Sequence, residues 1–330
     1  MVVLLNLQVV KEQSPGHRSH FRSLGRKDQA TLCTSSRPPR PQSTMNSMNA
    51  LLLLTCAGSV LLAVADAAPM ISAAQRDANG FLTHAISSPY QAGETRIRVL
   101  LPDHLDVEIR LPVVYVLPVE AGDGSHYGDG LLEVQRHDLH NQRRVIFVAP
   151  TFTHLPWYAD HSRDQGVRQE SHLVNAVVPL VEKTYPALFE PRGRLLLGFS
   201  KSGWGAWTLL LRHPEVFGRA AAWDAPLTSM QFGKFQSGPI FGSEQNFLAY
   251  DVARLLRGRG ASLGKEPRLV LLGKGSFADD TAATHALLET LAIPHAYLDG
   301  PQRKHDWHSG WVSEAVEHLL TAPLRPAADP

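Results

Sequence analysis

A chain of 330 residues that is 44% hydrophobic and 19% charged is suited to one or two globular domains, which excludes a disordered or fibrous protein. Its 32 Lys and Arg residues balance 31 Asp and Glu residues, so the formal net charge of +1 creates no field that attracts nucleic acid or an anionic membrane. We therefore expect no nucleic-acid partner, and any ligand must be recognised locally.

An export signal is the first element that the pattern predicts. Residues 50–64 form an apolar run, and residues 65–67 (Ala-Asp-Ala) behind it have the small-x-small form that signal peptidases cut. The run is shorter than the about 20 apolar residues of a membrane span. We expect a signal peptide over residues 45–67, no membrane span, and a secreted or periplasmic protein. Residues 1–44 lack periodicity, which indicates an unstructured extension or a mis-assigned start.

Both cysteines, Cys33 and Cys56, precede the expected cleavage point. The mature domain would then contain neither a thiol nor a disulfide, and its stability must come from core packing. Residues 53–56 faintly resemble a lipoprotein processing box. The apolar run continues past Cys56, however, which favours ordinary cleavage over a lipid anchor.

From about residue 81 onward, short β-branched or apolar runs alternate with longer segments of helical periodicity. This alternation predicts a single α/β domain over residues 68–330, with a mostly parallel sheet flanked by crossover helices. The predicted strands are Thr95–Leu101, Pro112–Leu117, Arg144–Val148, Arg194–Gly198, Arg219–Trp223, Arg268–Leu272 and His295–Leu298. The predicted helices are Glu170–Lys183, Ser202–Arg212, Gln245–Arg257, Thr281–Leu291 and Ser309–Leu320. Residues 225–245 lack periodicity and are expected to form a loop that covers the substrate.

A predicted strand, a tight turn and a predicted helix meet at Ser200. Gly198 precedes this serine as in the G-x-S-x-G nucleophile elbow, whereas Ser202 stands where the second glycine belongs. We expect Ser202 to make the acyl pocket tighter or more polar. The alternative interpretation of Ser200 is a helix cap after an ordinary strand, but capping alone does not require the flanking glycines.

Gly203, Gly205 and Ala206 extend the turn, and the segment resembles the G-x-S-x-G-G-x-G-A elbow of one branch of the α/β-hydrolases. That branch includes feruloyl esterases, formylglutathione hydrolases and mycolyltransferases. The resemblance implies the α/β-hydrolase fold, in which a mostly parallel central sheet is flanked by helices. It also implies a serine esterase with Ser200 as its nucleophile.

His305 follows the last predicted strand and precedes the last predicted helix, where this fold carries its general base. The spacing of His305, Trp307 and Trp311 is similar to that of the same esterase branch. His305 would take the proton of Ser200 and return it to the leaving alcohol. His308 is better explained as a rim residue or as a cap of the following helix.

Three aspartates compete for the acid that orients the base. Asp224 ends the strand beside the nucleophile strand, and a carboxylate against Trp223 is costly without a partner. The esterase branch usually carries its acid after the strand predicted at Arg268–Leu272, where Asp279 and Asp280 follow. Asp280 is equally well explained as a helix cap. We rank Asp224 first, Asp280 second and Asp279 last.

The backbone N–H of Lys201 is the first expected oxyanion donor. The second is the N–H of Val119, in a loop where this chain departs from the His-Gly-Gly run typical of the branch. Trp157 and Tyr158 lie where the branch commonly has an aromatic pair, and Trp204 lies beside the elbow. These rings are expected either to bind an apolar or aryl ester or to pack in the core.

The chain has 16 histidines, and the pairs His137 with His140 and His305 with His308 come closest to metal-ligand spacing. Neither pair has the carboxylate pattern of known metallohydrolases, so we expect no metal and no cofactor. Two hypotheses stand beside the esterase: an acyltransferase with the same acyl-enzyme, and a non-catalytic relative that binds a ligand or partner protein. The expected substrate is a small-molecule, carbohydrate or lipid ester.

Overall fold

A mixed β-sheet forms the centre of the protein in a computed structural model that describes residues 68–321. The predicted signal peptide, the segment before it and residues 322–330 lie outside the described residues. The strands of the described part are β1 (Met70–Ile71), β2 (Gln75–Arg76), β3 (Leu82–Ser87), β4 (Thr95–Leu100), β5 (Val113–Val116), β6 (Ile146–Pro150), β7 (Arg194–Phe199), β8 (Arg219–Trp223), β9 (Leu269–Lys274) and β10 (His295–Gln302).

The strands follow the order β1-β3-β4-β6-β5-β7-β8-β9-β10 across the sheet, and β2 pairs with β3. All pairs from β6 to β10 are parallel, whereas the pairs that involve β3 and β4 are antiparallel. The predicted mostly parallel sheet is therefore confirmed. The sequence does not predict β1, β2 and β3, because two of them are only two residues long and β3 mixes polar with apolar residues.

The helices of the described residues are α1 (Gly130–Arg136), α2 (Leu139–Arg143), α3 (Gln169–His172), α4 (Val178–Thr184), α5 (Ser200–Arg212), α6 (Gly238–Phe241), α7 (Glu244–Leu248), α8 (Val252–Arg259), α9 (Ala278–Thr290) and α10 (Trp311–Leu320). None of these helices is long and apolar enough to cross a lipid bilayer. The sequence does not predict α1 and α2, because helices of seven and five residues are too short to show a helical period.

Two predicted helices are interrupted in the structure. A π-helical stretch, Leu173–Val177, separates α3 from α4 within the helix predicted over residues 170–183. The helix predicted over residues 245–257 is divided into α7 and α8. Asp251 caps α8 by accepting a hydrogen bond from the Arg254 N–H, and this capping conformation ends the preceding segment.

Side chains of the central strands alternate between two apolar clusters, one on each face of the sheet. In β5, Val113 and Tyr115 pack in the cluster that contains Trp207 of α5, whereas Val114 and Val116 pack in the cluster that contains residues of α1 and α10. Helices thus cover both faces, which explains why the central strands are apolar throughout. Burial of one such side chain stabilises the fold by about 1.5–3 kcal/mol.

The segment 225–245 leaves the sheet after β8 and contains short helical turns where the sequence predicts an irregular loop. A 3₁₀ turn, Lys234–Gln236, is followed by α6 and the first turn of α7. Turns of three to five residues are too short to establish a helical period, which is why they escape prediction. Two aromatic side chains of this segment, Phe232 and Phe235, are exposed.

Candidate active site

Ser200, Asp224 and His305 lie together at the carboxyl edge of the parallel part of the sheet. Ser200 begins α5 directly after β7, Asp224 follows β8, and His305 follows β10. Because parallel strands end at the same edge, residues that follow three of them converge although they are far apart in the chain. Loop residues at this edge form the usual ligand site of open α/β sheets.

A continuous chain of hydrogen bonds joins these three side chains. His305 Nε2 lies 3.0 Å from Ser200 Oγ, and His305 Nδ1 lies 2.5 Å from Asp224 Oδ2. The second oxygen of Asp224 accepts a hydrogen bond of 2.6 Å from the Phe277 N–H. An ionised carboxylate only accepts, so Nδ1 of the imidazole carries the proton and Nε2 is free to accept the hydroxyl proton of Ser200.

The turn at Ser200 requires small neighbours. Ser200 has a φ of 51°, in the left-handed region, which places its hydroxyl at the tip of the turn. A Cβ on Gly198 would collide with the backbone carbonyl of Ser202, and a Cβ on Gly205 would collide with the ring of Tyr158. The glycines that carry the resemblance to esterases therefore have packing reasons in this chain.

Ser202 does not alter the pocket as the sequence leads us to expect. Its side chain is fully buried. The Ser202 hydroxyl donates to the Phe199 carbonyl over 2.9 Å and accepts from the Phe199 N–H over 3.1 Å. This reciprocal pair closes the turn around Ser200. The hydroxyl is thus satisfied inside the turn and provides no polar group to an acyl pocket.

The structure brings one of the three candidate aspartates to His305. The carboxylate of Asp280 accepts hydrogen bonds from the backbone N–H and the hydroxyl of Thr228, at 3.1 and 2.6 Å. Asp280 thereby anchors the beginning of the segment 225–245. It does not cap α9, which was the alternative interpretation of this residue from the sequence. Asp279 is exposed in the first turn of α9. Asp224 alone among the three bonds the imidazole.

Gly275 is a site residue that the sequence reasoning missed. It lies in the loop after β9, where the esterase branch usually carries its acid, and a Cβ on it would overlap the carboxylate of Asp224. The absence of a side chain at this position makes room for an acid that arrives from the neighbouring strand. The absence of a carboxylate directly after β9 was the sequence signal that could have pointed to Gly275.

The two expected oxyanion donors come from separate segments, Lys201 from the start of α5 and Val119 from the loop after β5. Lys201 N–H is in the first turn of α5, where helical N–H groups have no partner within the helix. Among the described residues, nothing accepts a hydrogen bond from Val119 N–H. The preceding carbonyl, that of Pro118, accepts a 2.5 Å hydrogen bond from the hydroxyl of Tyr158. Because a trans peptide points its C=O and N–H in opposite directions, Tyr158 orients the Val119 N–H.

The three aromatic residues expected at the substrate pocket pack in the core. Trp157, Tyr158 and Trp204 are fully buried. The rings of Trp157 and Trp204 meet edge to face with centroids 5.6 Å apart, and Trp204 stacks on Phe247. They act by shaping the scaffold behind Ser200, which is the second of the two expected roles.

Other rings surround the imidazole. The centroids of Tyr127 and Phe277 lie 5.5 and 5.7 Å from that of His305, and Phe235 lies 6.0 Å from Phe277. The ammonium of Lys201 lies 5.8 Å from the ring of Tyr127. Burial lowers the pKa of this lysine below its ordinary value, although the charge of Glu120 offsets part of the shift. No motif in the sequence marks Tyr127, Phe277 or Phe235, because they come from three separate loops.

In neither of the two histidine pairs with metal-ligand spacing do both members contact the same group. His137 and His308 both bond the fully buried carboxylate of Glu133, at 3.0 and 2.7 Å. Burial alone would raise the pKa of Glu133, but hydrogen bonds from Arg136 and these two histidines lower it. His140 lies apart from them, 3.9 Å from Asp138. The cluster ties α1 to the turn that follows His305.

Comparisons with known proteins agree with this architecture. Residues 88–283, more than half of the chain, match the family described as "Putative esterase". No curated protein is significantly similar in sequence. S-formylglutathione hydrolase from Staphylococcus aureus has a TM-score of 0.58 at 16% identity, covering 72% of this chain and 98% of that chain. A ferulic acid esterase has a TM-score of 0.57 at 19% identity, covering 76% and 97%.

MPT51 from Mycobacterium tuberculosis has a TM-score of 0.54 at 14% identity, covering 75% of this chain and 98% of that chain. At such identities these solved structures are alike in fold, and the fold they share is that of the α/β-hydrolases. The match over residues 88–283 additionally identifies the family to which the chain belongs. The chain therefore belongs to this esterase family and is a serine carboxylic ester hydrolase of the α/β-hydrolase fold.

Proposed function

We propose that the chain cleaves carboxylic esters through an acyl-enzyme on Ser200, with His305 as general base and Asp224 as the acid of the triad. The observation that carries this proposal is the hydrogen-bonded series from Asp224 through His305 to Ser200. As the serine oxygen attacks the ester carbonyl, its proton passes to His305 Nε2. The same proton then goes to the departing alcohol, and water attacks the acyl-enzyme by the reverse route.

The charge that develops on the carbonyl oxygen needs donors in place before the reaction. We propose the N–H groups of Lys201 and Val119 for this role. Lys201 N–H is free by its position in the first turn of α5. The orientation of Val119 N–H is supported by the hydrogen bond between Tyr158 and Pro118.

Aromatic rings at the site favour an ester with an apolar or aryl group. Tyr127 and Phe277 face the imidazole from separate loops, and Phe235 is half exposed beside Phe277. Aryl groups gain from edge-to-face contacts with such rings beyond the area that they bury. We propose small esters with an aryl group on the acid or the alcohol side, including esters of aromatic acids with carbohydrates, as the preferred substrates.

Labelling with a fluorophosphonate and a panel of nitrophenyl and cinnamate esters test the proposal. We expect the wild type to label and to hydrolyse the aryl esters, and Ser200→Ala and His305→Ala to lower kcat by about 10⁴-fold or more. Ser202→Gly, which restores the residue usual in the family, is the matched control and should label and turn over. A wild type that does not label, or a fully active Ser200→Ala, contradicts the proposal and favours a ligand-binding relative.

Transfer of the acyl group to an alcohol would pass through the same acyl-enzyme. Product analysis with added sugar or lipid alcohols separates the two outcomes, because hydrolysis releases free acid at a rate that the acceptor does not change. An acceptor-dependent ester product would show an acyltransferase instead.

We also propose that residues 45–67 direct export. The apolar run and the residues 65–67 support this, and both lie outside the described residues. N-terminal sequencing of the protein secreted by a bacterial host should begin at residue 68. An uncleaved chain in the cytoplasm would contradict the proposal.

A further inference from the structure

Three metal-ligating side chains converge where α9 meets β10, apart from the proposed triad. His285 and Glu289 lie one turn apart on α9, and His295 begins β10. His285 Nδ1 lies 2.9 Å from His295 Nε2, and Glu289 Oε1 lies 3.7 Å from the same nitrogen. One ligand atom from each residue lies within 4.8 Å of the others.

The outer contacts of His295 decide which of its nitrogens faces this cluster. Its Nδ1 lies 2.8 Å from the carbonyl of Ile293, an acceptor, so Nδ1 carries a proton. Neutral His295 therefore directs the lone pair of Nε2 at both Glu289 and His285. That lone pair can accept either a proton from His285 Nδ1 or a metal ion, and a metal ion would also balance the charge of the Glu289 carboxylate.

We propose that His285, Glu289 and His295 bind a divalent transition metal of the zinc class. The ligands are His285 Nδ1, His295 Nε2 and a carboxylate oxygen of Glu289, with water in the fourth position. A backbone carbonyl that holds the outer N–H of a metal-bound histidine, as Ile293 does here, is the usual support of such ligands. Parallel stacking of the His285 ring on Tyr297, with centroids 4.0 Å apart, fixes a second ligand.

The spacing suits an ion after a small movement of the rings. Two nitrogens bound tetrahedrally at about 2.05 Å from zinc lie about 3.3 Å apart, slightly more than the 2.9 Å between the rings. Glu289 is largely exposed, so its carboxylate can close on the ion and leaves an entry path from solvent. His295 is nearly buried and provides the rigid side of the site.

The metal would join the carboxyl-terminal half of α9 to the first residue of an edge strand. It takes no part in ester cleavage, since α9 reaches the triad only at its other end, where Phe277 donates to Asp224. The effect of the metal is therefore expected on stability and not on kcat.

The test uses the full mature chain without a polyhistidine tag, stripped with a chelator and titrated with Zn²⁺ by calorimetry and with Co²⁺ by absorption. We expect one tight equivalent, a tetrahedral Co²⁺ spectrum and a Tm that rises with added metal. His285→Ala should weaken binding by about 100-fold or more, and Glu289→Gln by about tenfold. His137→Ala, from the other histidine pair, is the matched control and should bind normally.

The exposed Glu289→Gln change keeps the proposal testable if His285→Ala unfolds. Absence of the tight equivalent in the wild type, or unchanged binding in His285→Ala and Glu289→Gln, would overturn the site. Loss of ester hydrolysis on chelation would overturn its structural role.

Discussion

Both ends of α5 lie beside a buried carboxylate that bonds a histidine. At the amino end, Asp224 accepts from His305 Nδ1 and from a backbone N–H. At the carboxyl end, Glu170 accepts from His213 Nε2 at 2.7 Å and from two nitrogens of Arg212 at 2.6 and 3.0 Å. The hydroxyl of Tyr250 also donates to Glu170.

The two carboxylates differ in the cation that balances them. Arg212 is permanently charged, so Glu170 is neutralised whether or not His213 holds a proton. Burial alone would raise the pKa of Glu170, but the hydrogen bonds from His213 and Arg212 lower it to about 2. Among the described residues, no arginine or lysine bonds Asp224.

In the proposed mechanism, the buried charge of Asp224 stabilises the imidazolium that His305 becomes when it takes the proton of Ser200. A buried carboxylate bonded to a histidine stabilises the fold when an arginine also bonds the carboxylate, as Arg212 bonds Glu170. Without the arginine, it can support proton transfer. The variants below test this difference.

Removal of the Asp224 charge should have the largest effect. We expect Asp224→Asn to lower kcat by about 10⁴-fold while the fold is kept, because the amide favours the wrong imidazole tautomer. Asp280→Asn is the matched control: it weakens the contact with Thr228 and should change kcat only a few-fold. Steady-state kinetics on a nitrophenyl ester measures both. A larger loss in Asp280→Asn would reverse the assignment of the acid.

A methyl group at Gly275 should displace the Asp224 carboxylate without removing its charge. We expect Gly275→Ala to lower kcat by about 100-fold, since a shift of about 1 Å in a reacting group has that effect. Gly258→Ala, in α8, adds a methyl group where nothing lies within 4 Å of it, and it should leave kcat unchanged. Full activity in Gly275→Ala would show that the acid does not need its present position.

At the other end of α5, Glu170→Gln should affect stability. We expect the free energy of unfolding to fall by about 3 kcal/mol, because Arg212 would be left without its buried counter-charge. Urea denaturation gives this value, and kcat at a permissive temperature should stay within a few-fold of wild type. A loss of kcat comparable to that of Asp224→Asn would contradict the division between the two ends.

The pH dependence of that difference in stability follows from the two pKa values. The pKa of Glu170 is about 2 in the folded protein, against about 4.3 for a glutamate in an unfolded chain. The carboxylate therefore contributes its full stabilisation above about pH 4.3, and this stabilisation is lost as the pH falls towards about 2. Burial alone would lower the pKa of His213, but Glu170 raises it. The contribution of His213 is therefore present below about pH 6.5 and is lost as pH rises through its folded value. Wild type and Glu170→Gln should differ most between these limits.

The smallest effects are expected from the removal of two tyrosine hydroxyls. That of Tyr158 lies near the proposed active site, and that of Tyr250 lies beside Glu170. Tyr158→Phe frees the Pro118 carbonyl, and we expect kcat to fall by about fivefold with KM little changed, as one hydrogen bond is worth about 1 kcal/mol. Tyr250→Phe removes the bond to Glu170 and should lower stability with no change in kcat. Equal effects of both changes on kcat would remove the positioning role of Tyr158.

Much of the fold and the centre of the site could be predicted from the sequence. The seven predicted strands are all present: Arg219–Trp223 keeps its predicted bounds and the other six have shifted ends. Five of them, β5 to β9, are buried along almost their whole length, and such strands must be largely apolar. The turn at Ser200 is local as well. Its strand, its glycines and its helix are neighbours in the chain, so their pattern alone predicts the nucleophile elbow at Ser200.

For the partner of His305, the sequence ranks Asp224 first but leaves Asp280 and Asp279 as alternatives. Asp224 and Asp280 both follow a strand in the right chain order, and only the sheet order places one of them against the imidazole, while the other holds Thr228. The burial of Trp157 was also decided by packing. Backbone conformation depends on adjacent residues, so sequence determines it locally. Contacts between side chains 81 residues apart depend on where separate strands end, and only the tertiary structure decides that.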